Sequence, residues 1–425
     1  MKTLLNIWNS QDLRKKLLFT IFIIVVFRII AHIPIPGVDV TALRNLFSQS
    51  QIFQLLDLFS GGTLFNFSIM TLGLNPYINA SIILQLLTNV VPALEALQKE
   101  GEYGRQKINQ YTRYLTVPLA FLQAWGVIIF FRRSGGSALT GLSPLEMLTI
   151  LVTMTAGTIL LMWLGELITE YGVGNGISIL IFAGILGRLP VTFGQTATIF
   201  SAENALKIVL ILVGAILVIA AVVVINEAHR RVLVQYARRV RGDRSYGGGS
   251  THLPIRINQA GVIPIIFAVS IILLPGMLAT FFATAENEMI RNFAISVRDL
   301  FNNTAFYSTV YFVLVLAFTY FYTAVTFQPN KIADDLRKYG GFVPGIRPGR
   351  ATSDYLSYII NRITLVGGIF LGAVAVLPFA STGLTNISTL AIGGTGLLIV
   401  VSVVLETAKQ MESQLIMRSY EGFLR

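Results

Sequence analysis

Groups able to do covalent or metal chemistry are scarce in this chain and badly spaced for it. The three histidines, His32, His229 and His252, fall at a helix end and in a loop without ligand spacing, and cysteine is absent, so thiolate and disulfide chemistry is excluded. No HExxH, nucleophile elbow or Walker motif occurs. Gly172, Gly174 and Gly176 resemble a phosphate loop at first sight. The stretch GELITEYGVGNGIS (165–178), however, fits neither GxxxxGK[ST] nor a strand-first GxGxxG, and it predicts a tight turn with a capped helix start at Asn175. Glu166, Glu170 and Glu406 stand at the ends of apolar segments whose middles are nearly free of acids. The sequence therefore predicts no catalysis, no cofactor and no metal. What remains is non-covalent chemistry, concentrated in LLDLFSGGTLFNFSIMTLGL (55–74), where Asp57, Gly61-Gly62, Asn66 and Ser68 interrupt an apolar run. At about 1.5 Å per residue, 57–67 spans only roughly half of a ~30 Å hydrocarbon core. Backbone broken at that depth must be enclosed by protein or line a water-filled cavity. The segment is expected to be either a plug inside a pore or a re-entrant structural loop.

The elements around it come from the hydropathy pattern. Of the 425 residues, 54% are hydrophobic and 12% charged, with a mean hydropathy of +0.70, the composition of a polytopic membrane protein. Apolar windows near 16–35, 70–91, 113–131, 144–166, 175–190, 206–226, 258–284, 305–327, 357–380 and 387–408 predict ten spans. The net charge of +11 is concentrated in alternate loops, and the positive-inside rule then puts both termini in the cytoplasm. Arg14-Lys15-Lys16 precedes the first span without a small-residue cleavage site, so that span is expected to be retained. Arg28 lies within it near an end and is expected to be structural. Five spans is an odd number, so dividing the chain into 1–190 and 191–425 predicts two halves of opposite orientation, an inverted repeat. Each half carries prolines in its second span, Pro76 in one and Pro264 and Pro275 in the other.

Span two is rich in polar residues, among them Asn79, Gln85, Thr88 and Asn89, which suits a helix against a wet passage as well as one hydrogen-bonded to neighbours. Loop 227–257 is the most basic. Val232, Val234 and Tyr236 alternate, as do Leu253, Ile255 and Ile257, which predicts a two-stranded ribbon. Loop 328–357 contains GGFVPGIRPGR, where Pro and Gly stiffen the backbone around Arg347 and Arg350. Two such loops suggest a docking surface for a large soluble partner beyond a topology signal.

These stretches together resemble the SecY family, the large subunit of the bacterial protein-conducting channel. The resemblance rests on FRIIAHIPIPGVD (27–39), LFSGGTLFNFSIMTLGLNPYINASIILQLLT (58–88), KEGEYGRQKINQYTRY (99–114), MWLGELITEYGVGNGISILIFAGI (162–185), THLPIRINQAGVIPIIFA (251–268), FVPGIRPGRAT (342–352) and LLIVVSVVLE (397–406). It implies an all-α membrane protein with ten transmembrane helices in two inverted five-helix halves around a central pore. It implies a plug over 57–67, with Asp57, Phe59, Ser60, Gly61, Gly62, Leu64 and Phe65. The implied pore ring is Leu74, Ile78, Ile177, Ile181, Ile266 and Ile399, of which 74/78 and 177/181 also stack as i, i+4 pairs. A lateral gate is implied between spans two and three and spans seven and eight, and Asn79, Gln85, Thr88 and Asn258 are the polar residues expected along it. The key docking arginine of the second basic loop, for the SecA ATPase or the ribosome, matches Arg347, and Arg238, Arg239, Arg244 and Arg350 are expected on the same docking face. Where some members have two adjacent arginines near the tip of the first basic loop, this chain has Asp243-Arg244, which puts that contact in doubt. SecE and SecG are implied as partner subunits, signal sequences and unfolded polypeptides as substrates, and the bacterial cytoplasmic membrane as location. The alternative class is an inverted-repeat secondary transporter, disfavoured by the shortage of ionisable groups in mid-span.

Overall fold

The structure, a computed structural model, describes residues 10–36, 38, 63–64, 66–133, 143–198, 202–236, 239–241, 244–246, 249–283, 287–385 and 393–423. The described helices are α1 (Gln11–Ile30), α2 (Asn75–Val90), α3 (Pro92–Lys99), α4 (Glu102–Arg133), α5 (Pro144–Tyr171), α6 (Gly176–Thr198) and α7 (Ala202–Glu227), then α8 (Ile263–Phe282), α9 (Glu288–Asn302), α10 (Thr304–Thr326), α11 (Pro329–Lys338), α12 (Arg350–Thr385) and α13 (Gly393–Phe423). Every one of the ten apolar windows overlaps one of these helices. Glu102–Ile129, Pro144–Tyr171, Ala205–Glu227, Thr304–Lys338 and Arg350–Ser381 are each long and apolar enough to cross a membrane. Helix is the expected answer to burial in lipid, because it satisfies its own backbone groups.

The helix ends depart from the hydropathy windows in a consistent way. α4, α12 and α13 run well past the apolar windows into charged sequence, since hydropathy marks the lipid-embedded part whereas the hydrogen-bond ladder continues until a cap or breaker stops it. Sharp starts coincide with caps. Ser143 accepts from the Glu146 amide while the Glu146 carboxylate takes the Ser143 amide, a complete capping box. Asn175 Oδ1 accepts from the Ser178 amide at 3.1 Å, so the glycine-rich turn does end in a capped helix. α6 also extends beyond the expected short fifth span, to Thr198, with Pro190 inside it.

Spans two and seven both start later than their windows, and in the same way. Gly73 (φ 59°) precedes Leu74, Asn75 and Pro76; Gly261 (φ 62°) precedes Val262, Ile263 and Pro264. The residue before each helix has nearly the same backbone, Leu74 at φ −90°, ψ 0° and Val262 at φ −95°, ψ −9°. A left-handed glycine turns the chain, and a proline in the first turn, whose missing N–H costs nothing there, starts the helix. Pro264 therefore opens span seven and does not interrupt it; Pro275 is the proline inside the helix.

Packing follows the sequence order within each half and joins the halves at two places. α1 packs on α5 and α6, α4 on α2 and α5, α10 on α8 and α12, and α13 on α7 and α12; across the halves, α13 meets α6, and α8 meets α2 and α4. The main core draws on both halves, from Phe27 and Leu161 to Ile272, Leu371 and Val403. A second core, with Leu64, Phe67, Leu72, Ala124, Ile128 and Met154, packs residues 63–72 against α4 and α5.

At one end of the bundle the two basic loops are joined. The predicted ribbon forms between β1 (His229–Tyr236) and β4 (Ser250–Arg256), with Val232 opposite Leu253. It is wider than expected. A further strand, β5 (Gly341–Phe342), comes from the second basic loop and pairs with Gln235 and Tyr236 of β1. A separate hairpin joins β2 (Arg239–Arg241) to β3 (Arg244–Tyr246). Val232, Ile255, Val343, Leu356 and Ile360 form a small core beneath the sheet, against the first turns of α12. Sequence reasoning missed β5 because two residues carry no readable alternation.

Candidate functional site

The six aliphatic residues expected to form a ring all lie in or against the main core. Leu74, Ile181 and Ile399 are buried in the main core, and Ile78, Ile177 and Ile266 are partly buried against it. They reach it from α2, α6, α8 and α13, all of which take part in contacts across the two halves. Their matched starts place Leu74 and Ile78 on α2 as Val262 and Ile266 are placed on α8. Val262 and Val403 are buried in the same core, so 74/78, 262/266, 177/181 and 399/403 are four i, i+4 pairs, two from each half. None of these eight side chains can hydrogen-bond, so an ion entering among them would lose water without gaining a ligand.

The broken segment, of which 63–64 and 66–74 are described, leads into α2. It is non-helical and enclosed, with Thr63, Phe67, Ser68, Met70 and Thr71 all buried. Its backbone is satisfied by protein: the Ile35 amide donates to Phe67 O at 3.0 Å and the Ile69 amide to Ile33 O at 3.1 Å, a short antiparallel bridge to the chain leaving α1. Thr71 Oγ1 donates to the Ser68 carbonyl. Phe67 holds φ 42°, a left-handed geometry costing of order 1 kcal/mol in a non-glycine residue, and is fixed by edge contact with the Phe131 ring at 6.0 Å. Leu64 is in the second core. The remaining plug residues, Asp57, Phe59, Ser60, Gly61, Gly62 and Phe65, lie outside the described residues.

The polar residues expected along the gate do not all bond across it. Thr88 Oγ1 donates to the Gln85 carbonyl of its own helix at 2.7 Å. Asn258 Nδ2 donates to Asn226 Oδ1 at 2.8 Å and to Gly261 O at 3.2 Å, and Asn226 Nδ2 donates to Ser402 Oγ at 2.8 Å. Asn258 thus ties the lead-in of α8 to α7 and α13 within its own half. Asn79 is half-buried on α2. Across the two halves, α8 packs on α2 and α4.

Two ion pairs join neighbouring helices. Arg113 Nε lies 2.6 Å from Glu166 Oε1, joining α4 to α5, and Lys409 Nζ lies 2.7 Å from Glu227 Oε1, joining α13 to α7. Arg28 projects against α6, and a Cβ at Gly187 would fall 1.7 Å from its guanidinium. On the basic face, Arg347 and Arg350 are exposed. The Arg347 carbonyl accepts from Thr352 Oγ1 at 2.9 Å, and the Ile346 amide donates to Val343 O at 3.1 Å, so the loop is braced on the small core. Arg239 and Arg244 lie on the β2–β3 hairpin; Arg238 is outside the described residues. Among the described residues no group of three or more His, Asp or Glu is placed to hold a metal.

The SecY family model matches residues 68–408. This chain belongs to the SecY family. It is 46% identical over 434 residues to a protein of Streptomyces scabiei called protein translocase subunit SecY, covering 98% of each chain. Its fold matches a solved structure described as a protein conducting channel, with TM-score 0.65 and 18% identity over 94% of this chain and 92% of that one. It also matches Sec61 in the canine ribosome-channel complex from the endoplasmic reticulum, with TM-score 0.62 and 18% identity, covering 94% and 92%. With its apolar helices, SecY membership makes the chain a multi-pass membrane protein.

Proposed function

We propose that this chain is the channel subunit through which unfolded polypeptides cross the bacterial cytoplasmic membrane, and from which transmembrane segments leave into lipid. The observation that carries the reading is the collar: i, i+4 aliphatic pairs from both halves share one core, and a segment of enclosed, non-helical backbone leads into α2. A dry constriction holds back ions by dewetting. Aliphatic side chains impose no hydrogen-bond pattern, so they can deform around any residue a translocating chain presents. In this reading 1–190 and 191–425 are inverted halves, and the matched lead-ins of α2 and α8 support that. Residues 57–67 close the resting pore as a plug, and the seam of α8 against α2 and α4 opens toward lipid.

The chain itself is passive; SecA or a translating ribosome supplies the work from the basic face, and SecE and SecG complete the membrane unit. Both termini are cytoplasmic, as the Lys/Arg distribution supports. The joined sheet gives a rigid base on which a docked partner can push. β4 leads through Asn258 into α8, and β5 leads through the Arg347 loop into α12, so one platform feeds two spans. The deciding experiment uses reconstituted vesicles with SecE, SecG, SecA and ATP. We expect transport of an unfolded secretory protein that stops when cysteines crosslink α2 to α8; undiminished signal-dependent transport through the crosslinked protein would overturn the gate. Ion-gradient-driven uptake of a small solute without SecA would overturn the channel.

A further inference from the structure

α9, at the end of the bundle opposite the basic sheet, was not foreseen from hydropathy because its mean is near neutral. Its sequence, EMIRNFAISVRDLFN, is strongly amphipathic. At 100° per residue, Met289, Ile290, Phe293, Ala294, Val297, Leu300 and Phe301 fall within an arc about 140° wide. The protein covers only part of that arc. Ala294 is buried and Phe301 packs on the main core, whereas Met289 is 82% exposed, Phe293 71% and Leu300 49%. These three lie one above another at i, i+4 and i+11. Glu288, Asn292, Asp299 and Asn302 occupy the opposite side of the helix together with the half-buried Ile295, and Asn287 caps it by accepting from the Met289 amide at 3.0 Å.

We propose that α9 is a membrane-surface helix whose Met289–Phe293–Leu300 stripe is seated in the acyl-chain boundary of the leaflet opposite the basic face. The helix joins the ends of α8 and α10, which both expose apolar side chains, such as Leu278 on α8 and Val313 on α10, so a bilayer that wets those spans reaches the level of the stripe. The three stripe side chains carry no hydrogen-bond donor and, in the Met289 thioether, only one weak acceptor, and an acyl layer demands neither. The opposite polar side then faces water, the arrangement of an interfacial helix. Its cations are already paired, Arg291 with Glu288 and Arg298 with Asp299, each at 3.3 Å. Attachment is therefore apolar and not driven by anionic headgroups.

The chain has no cysteine, so single spin labels can be placed directly on the full-length protein, purified with its associated subunits and reconstituted in vesicles. Labels at Met289→Cys, Phe293→Cys and Leu300→Cys should collide with oxygen in preference to a water-soluble nickel chelate, as a label at Val313→Cys does. Asn292→Cys and Asp299→Cys should show the reverse, by several-fold. Neither pattern should change with salt or with replacement of anionic by zwitterionic lipid. Phe293→Cys reached by nickel as freely as Asn292→Cys would put the helix in water, and shielding from both reagents would mean a protein partner covers the stripe; either overturns the proposal. The three exposed stripe positions give independent readouts, so one poorly folding variant does not remove the test.

Discussion

Individual side chains in this protein act mostly by what they exclude. Gly187 is one case, because the Arg28 guanidinium occupies the space its side chain would need. Gly187→Ala should lower stability by about 1–3 kcal/mol through overpacking, read as an earlier thermal transition of the purified protein, and adding Arg28→Ala should recover most of the loss. A variant as stable as the parent would show that the guanidinium moves aside freely. Arg347 acts outward instead. Its loop is braced by Thr352 and by Ile346 on the small core, so Arg347→Glu changes the charge without loosening the fold. Reversal at a docked interface costs several kcal/mol. SecA-driven transport should fall to background while the protein elutes normally; unimpaired transport would remove Arg347 from the docking face.

Among the elements, the lead-in to α8 is held by the chain Asn258–Asn226–Ser402, which links it to α7 and α13. Asn226→Ala leaves both outer partners short of a bond they made in a buried place, at a cost of about 1–3 kcal/mol. Ser402→Ala removes one outer partner and should cost less. Thermal unfolding of the two variants side by side tests the order, and equal effects would argue against Asn226 as the central member. Asn258 was expected from sequence to bond across the gate. Its type was readable; its partner was not, since Asn226 is brought to it by the return of the chain through the basic sheet. β5 escaped detection for a similar reason: two residues become a strand only because β1 offers an edge.

For the molecule as a whole, the collar is the testable feature. Ile78, Ile181 and Ile266 come from three helices and both halves. Replacing all three with Asn puts amide donors and acceptors into the constriction and should wet it. Planar-bilayer recordings should then show ion conductance at rest, larger when Ser60–Phe65 is also deleted, with protein transport retained. A triple mutant with the plug deleted that stays as tight as the parent would make these side chains packing residues and move the pore elsewhere.

The sequence by itself determined that the chain is helical and membrane-embedded, where its ten apolar segments lie, and that 55–74 cannot cross, because these depend on composition and periodicity within about 20 residues. It also determined the cap at Asn175, which is local backbone chemistry. Tertiary structure alone decided which faces of those helices meet: that Val262 and Val403 are buried in the same core as Leu74, Ile181 and Ile399, that Asn258 turns to Asn226, and that the two basic loops share one sheet. It also decided that half of the apolar arc of α9 is left uncovered. An aliphatic residue facing a pore, a neighbour or lipid has the same local signature, and only the packing of distant segments separates the three.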